Sequence, residues 1–150
     1  MPKKRSAGKP ARPPRKVRIN KDNYMSIKHT NYVNRQRRHA KIRKKVTGTK
    51  VRPRLSVFRS ARYLYLQLID DQSGRTLAAT TSKSVKVDEN GDSVKNKTRK
   101  IALAFTAGGR LAAKAKELNV NEAVFDRGGY RYHGRVKAAA EGARAGGLKL

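Results

Sequence analysis

The sequence predicts an α/β domain in which a mixed sheet, an antiparallel meander plus one parallel strand, is covered by two helices. A basic N-terminal arm precedes it. Three observations predict this. Residues 54–82 alternate apolar and polar side chains in three short runs, the period of half-buried strands. Residues 97–118 change to three- and four-residue spacing, the period of an amphipathic helix. A short strand-like run at 122–126 then precedes a second helical stretch at 134–145. Strand, long helix and strand form a crossover, which sets the last strand parallel to a meander strand.

The chain has 150 residues, with 38 Lys and Arg against 10 Asp and Glu, a formal net charge of +28. The surplus is uneven, because residues 1–52 hold 19 of the 38 cations and one acid, Asp22. Residues 1–33 contain four of the five prolines and few large aliphatics. This extension buries too little apolar surface to offset chain entropy and is expected to be disordered when unbound. Residues 34–46 (NRQRRHAKIRKKV) lack Gly and Pro and are expected to be helical, within a basic arm spanning 34–52. Arg35, Arg37, Arg38, Lys41, Arg43, Lys44 and Lys45 crowd this helix. Like charges so close destabilise it in water but not against phosphates, so the arm should order on binding. Thr47-Gly48-Thr49 reads as a helix stop and hinge.

The globular domain spans 53–150. Residues 54–60 (RLSVFRS) and 63–71 (YLYLQLIDD) form a hairpin, although Ala61-Arg62 lacks the Gly or Asn of the favoured tight turns. In the second strand Leu64, Leu66 and Leu68 point to the core and Tyr63, Tyr65 and Gln67 away from it. The two tyrosines face either RNA or a covering helix. After Asp71, Gln72-Ser73-Gly74 is a turn with Gly where positive φ is tolerated, and the third strand covers 75–82. Residues 83–96 (KSVKVDENGDSVKN) read as a charged loop. In the long helix Ile101, Ala104, Phe105, Gly108, Leu111, Ala112, Ala115 and Leu118 form the inner stripe. Gly108-Gly109 costs about 1 kcal/mol per Gly relative to Ala there, so the pair marks a close approach to a strand or a local bend. The last helix turns Val136, Ala139 or Ala140, and Ala143 inward and ends at Gly146-Gly147.

Composition excludes several classes. There is no Cys, so no disulfide framework and no cysteine-ligated zinc site. No apolar run approaches the length of a membrane span or a secretory core. A cationic surplus this large implies a polyphosphate partner.

The most informative segment is 126–135, DRGGYRYHGR. It follows the carboxyl end of a parallel strand and precedes a helix N-terminus, where anions collect in open α/β sheets. Gly128-Gly129 would let backbone approach a phosphate. Arg127, Arg131 and Arg135 supply charge, and Tyr130, Tyr132 and His133 supply flat rings for stacking on exposed bases. Arg52, Arg54, Arg59, Arg62 and Tyr63 around the first hairpin are expected to add to the same RNA surface, and the basic arm to clamp phosphate backbone without reading sequence.

Catalysis lacks its residues. Asp70-Asp71 point to opposite faces of a strand and belong to turn chemistry. Asp126 with His133 could form an acid–base pair, but a local hydrogen bond or a pairing of Asp126 with a nearby Arg fits better. Walker loops, nucleophile elbows and dinucleotide fingerprints are absent. No catalytic residue, cofactor, metal or small-molecule substrate is expected.

Residues 52–60 (RPRLSVFRS), 65–71 (YLQLIDD), 124–136 (VFDRGGYRYHGRV) and 140–148 (AEGARAGGL) resemble the bacterial form of the large-subunit ribosomal protein L18 family. The resemblance runs in order from about residue 34 to the C-terminus. It implies a ribonuclease-H-like fold without that fold's catalytic carboxylates, and a place in the cytoplasmic ribosome. It also implies binding to 5S rRNA, attachment of that RNA to 23S rRNA in the central protuberance, and contacts with neighbouring large-subunit proteins. The family's basic helix corresponds to 34–45 and its RNA-facing loop to 127–135. Residues 1 to about 30 and the 83–96 loop depart from the family's pattern. Two other classes are weighed against this reading: a nucleic-acid-coating or architectural DNA protein, which leaves DRGGYRYHGR unexplained, and a ribonuclease-H-like nuclease, which lacks its acids.

Overall fold

A computed structural model describes residues 21–85 and 99–150, with side chains from Thr30 onward. The readings for residues 1–20 and for most of the 83–96 loop lie outside the described residues. The elements run α1 (Lys21–Arg43), β1 (Arg54–Arg59), β2 (Leu64–Asp70), β3 (Arg75–Thr81), α2 (Arg99–Glu117), β4 (Val124–Asp126) and α3 (Arg135–Ala145).

The sheet order is β3-β2-β1-β4. β1 pairs antiparallel with β2, with Phe58 opposite Tyr65, and β2 pairs antiparallel with β3. β4 lies parallel to β1, with Asp126 beside Ser56, as the crossover requires. Leu64, Leu66 and Leu68 are buried on the helix-covered face with Leu55 and Val57. Tyr65 and Phe58 sit on the opposite, open face, 40% and 54% exposed, with ring centroids 5.9 Å apart. The hairpin needs neither Gly nor Asn because Ser60 closes its turn. Its hydroxyl donates to the Tyr63 carbonyl at 2.9 Å and accepts the Tyr63 N–H at 2.8 Å. After β2, Asp70 accepts from the Gln72 N–H and the Ser73 hydroxyl, and Gly74 takes φ +66°.

α2 lies on β2 and β3, and α3 packs along α2; both bury small residues in one cluster with the sheet leucines. The close approach at Gly108 is to a helix rather than to a strand. A Cβ there would overlap the Ala139 carbonyl of α3, and a Cβ on Gly142 would overlap the Phe105 carbonyl of α2. Two glycines thus let the helix backbones meet. Leu118 departs from the predicted inner stripe and is half exposed, because the helix ends at Glu117 and Asn119 turns the chain with φ +57°.

α1 starts at Lys21, well before the predicted residue 34, and ends at Arg43. The last proline before it is Pro14, so no breaker interrupts residues 21–33 and the helix extends through them. The segment after α1 is clamped rather than hinged. Gly48 exchanges backbone and side-chain hydrogen bonds with Asp71, and a Cβ on it would overlap Arg54 N and the Ile69 carbonyl.

Candidate nucleic-acid interface

Two carboxylates, Asp71 half-buried and Asp126 fully buried, organise the site. Asp71, just beyond β2, accepts two bonds from Arg54, at 2.7 and 2.9 Å, and two longer ones from Arg43 at the end of α1. It also accepts the Gly48 N–H at 2.7 Å. Asp126, at the end of β4 and fully buried, accepts from Arg54 Nη1 at 3.2 Å, His39 Nε2 at 3.2 Å and the Gly128 N–H at 2.9 Å. Arg54 therefore lies between two aspartates, and α1 is tied to both, by Arg43 and by His39. The reading that Asp126 makes a local hydrogen bond and pairs with an Arg holds. The alternative pairing with His133 does not, since His133 is exposed and His39 takes that place.

Hydrogen bonding from Arg54, reinforced by Arg43 and the Gly48 N–H, holds the Asp71 carboxyl far below the usual carboxylate range, against its desolvation. The same partner raises Arg54 further. A carboxyl whose folded pKa is below its unfolded one stabilises the fold above about pH 4, and that contribution is lost as pH falls further. Unfolding midpoints followed from pH 6 down to pH 3 are expected to drop for the wild type and to drop less steeply for Asp71→Asn. Parallel curves for the two proteins would detach Asp71 from the acid response.

The 127–135 loop folds against α1. Arg35 Nη1 donates to the Gly128 carbonyl at 3.1 Å and Arg38 Nε to the Gly129 carbonyl at 3.0 Å. Gly128 and Gly129 have φ of +60° and +75°. A Cβ on the first would overlap the Val57 carbonyl and on the second the Arg35 carbonyl. These glycines, expected to admit a phosphate, instead admit β1 and α1. Tyr130 extends the sheet past the short β4: its hydroxyl donates to the Arg59 carbonyl at 3.0 Å and accepts the Arg59 N–H at 3.3 Å. Its ring is flanked by the guanidinium groups of Arg35 and Arg59, 5.0 and 5.3 Å from the centroid. Arg127 donates to the Tyr130 carbonyl at 2.6 Å.

The result is an open cleft of about 930 Å³ between α1, the end of β1 and the loop. Arg35, Arg38, Arg59 and Arg131 line it with Tyr32, Tyr130, Tyr132 and His133, and among the described residues no carboxylate does. Tyr132 is 42% exposed, its ring edge-on to Phe125 and its hydroxyl accepting from Arg144. The geometry places four cations and several ring faces in one concavity, the requirement for holding a phosphate backbone with unpaired bases.

The other predicted residues divide by environment. Arg37, Lys41, Lys44, Lys45, Arg52 and Arg62 are exposed and pair with no carboxylate among the described residues. Arg135 is half-buried, its pKa lowered by desolvation and by Arg59. Tyr63 is half-buried, while Tyr65 lies outside the cleft, in a groove it shares with Arg110 and Lys114 of α2. Arg43 and Arg54 are both engaged by Asp71, Arg43 half-buried and Arg54 only 7% exposed. His39 and Tyr32 were missed. His39 has no sequence signal, because its partner lies 87 residues away. Tyr32 was hidden by reading residues 1–33 as unstructured.

Residues 29–150 match the family model of ribosomal L18 of archaea, bacteria, mitochondria and chloroplasts. The chain belongs to the ribosomal L18 family. It is 52% identical over 117 residues to the large ribosomal subunit protein uL18 of Desulforudis audaxviator, which covers 77% of this chain and 92% of that protein. It is 50% identical over 118 residues to uL18 of Exiguobacterium sp., covering 77% and 92%. With uL18 of Chloroherpeton thalassium the identity is 51% over 119 residues, covering 79% and 95%. The family match takes in α1 from residue 29, the whole sheet and the loop that closes the cleft.

Proposed function

We propose that this chain is a structural constituent of the large subunit of the cytoplasmic ribosome, where it binds 5S rRNA and attaches it to 23S rRNA in the central protuberance. Family membership supports the ribosomal part. The observation that carries the RNA-binding part is the cleft, in which four arginines and three tyrosines converge with no acid among the described residues. Arg35 and Arg38 hold the loop carbonyls and keep their charge, so they position the loop and attract phosphate together. The exposed Arg37, Lys41, Lys44 and Lys45 extend the cationic track along and just beyond α1. The strand order, with β4 parallel to β1, supports the ribonuclease-H-like reading of the fold. Asp126 in this fold is saturated by protein donors, which supports a structural rather than catalytic role for it.

Competition binding tests the proposal. At about 0.2 M salt, where purely electrostatic binding has weakened, unlabelled 5S rRNA is expected to displace labelled 5S rRNA and a duplex DNA of equal length is not. Equal displacement by both would replace the proposal with a general nucleic-acid-coating protein. Tyr132→Ala is expected to weaken 5S rRNA binding by about 1–3 kcal/mol and to narrow that discrimination. Replacing Arg37 and Lys41 by Ala should weaken binding to all RNAs alike and lower the salt slope by up to about 2.

A further inference from the structure

A second groove lies on the other side of the sheet order from the cleft. The cleft borders α1, the end of β1 and the loop after β4, whereas this groove, of about 310 Å³, borders β2, β3 and α2. Its floor carries the exposed ring of Tyr65 with Gln67 and Thr81, and its far wall carries Arg110 and Lys114 of α2.

The two cations are held in an unusual way. Arg110 Nη1 donates to the Ser84 carbonyl at 3.0 Å, and Lys114 Nζ donates to the Ala79 carbonyl at 2.9 Å. Carbonyls fix the side chains without neutralising them, and among the described residues no carboxylate pairs with either. An ammonium has three donors and a guanidinium five, so both keep donors for an anion. Beside them Tyr65, 40% exposed, offers a ring that no helix among the described residues covers, with Phe58 as its cross-strand neighbour. Gln67 adds an amide that donates and accepts, the Thr81 hydroxyl keeps its proton to donate while accepting the Lys83 N–H, and the Ser84 hydroxyl, which donates to the Thr81 carbonyl, keeps only acceptor capacity. Fixed positive charge next to an open aromatic ring and a mixed polar wall matches a nucleotide: phosphate on the cations, base on the ring.

We infer that this groove is a second RNA-binding site, which takes an unpaired nucleotide of an RNA segment different from the one held in the cleft. The inference rests on the RNA-binding reading above and gives it a geometry: one small domain grips two RNA segments on two sides of one sheet. A protein able to attach one RNA to another needs two such surfaces.

The test uses the full chain, 5S rRNA and a fluorescent twelve-nucleotide oligoadenylate as a single-stranded probe. Protein already saturated with 5S rRNA is expected to bind the probe. The double variant Arg110→Gln, Lys114→Gln, and separately Tyr65→Leu, should each weaken probe binding about tenfold or more while leaving 5S rRNA affinity unchanged. Both alter exposed side chains, and circular dichroism checks that they fold. Probe binding abolished by 5S rRNA, or equal in wild type and variants, overturns the second site; in the latter case the groove is left to a protein neighbour. Failure of the wild type to select 5S rRNA, with probe binding still dependent on Tyr65, overturns the 5S assignment and leaves the groove standing.

Discussion

Asp126→Ala is expected to destabilise the domain by about 3 kcal/mol, the lower end of what breaking a buried ion pair costs. Asp126 is fully buried and collects three donors, from Arg54, His39 and the Gly128 N–H. Removing it leaves the Gly128 N–H without its acceptor inside the fold and Arg54 with an unmatched Nη1. Arg54 keeps its bonds to Asp71, which is why the loss stays near 3 rather than 5 kcal/mol. Asp126→Asn keeps the shape and one acceptor and should cost about half as much. Chemical denaturation of the three proteins measures this. A loss below about 1 kcal/mol for Asp126→Ala would mean that the network does not hold the domain together. The same variant probes function, because His39 is one of the two side chains by which α1 reaches Asp126 and Asp71. Under the proposed function, 5S rRNA binding by Asp126→Ala, measured where it remains folded, should therefore fall although Asp126 is fully buried.

The parts of this fold that were legible in the sequence are those whose causes are local. β2 was legible because Leu64, Leu66 and Leu68 alternate with polar neighbours, and its parallel partner because a strand, a long helix and a strand leave one handed connection. Gly74 was legible because its turn needs positive φ. The failures share a different cause. Asp70 and Asp71 are adjacent and look alike, yet Asp70 makes the local turn and Asp71 gathers Arg43 and Arg54 from 28 and 17 residues away. No window of sequence contains that difference. α1 has polar or charged residues on nearly every side, so the 3.6-residue period had no apolar stripe to register on, and its start was placed too late. In the cleft, residue types were readable and roles were not. Arg54 and Arg59 both looked like hairpin cations, but Arg54 points at two aspartates and Arg59 lies over Tyr130.

Gly142→Ala and Gly109→Ala should change stability in opposite directions, although both put alanine into a helix. Alanine is favoured over glycine by up to about 1 kcal/mol in a helix interior, so propensity alone predicts a gain at each site. Space decides otherwise at Gly142, where the added Cβ would overlap the backbone carbonyl of Phe105. That atom belongs to a helix and has no rotamer to escape into, so α2 and α3 must separate. Overpacking of this kind costs about 1–3 kcal/mol or more, and separation also opens gaps around Leu111 and Val136 in the same core. The net expectation is a loss of about 2 kcal/mol. At Gly109 the nearest atom to a new Cβ, the Gly142 carbonyl oxygen, lies 3.7 Å away, an ordinary contact, so the propensity gain survives and the variant should be slightly more stable than wild type. Thermal unfolding of the pair separates packing from propensity, because the helix term is shared and only the close approach differs. Stabilisation by Gly142→Ala would show that the two helices do not meet backbone to backbone, and the role assigned to Gly108 would fall with it.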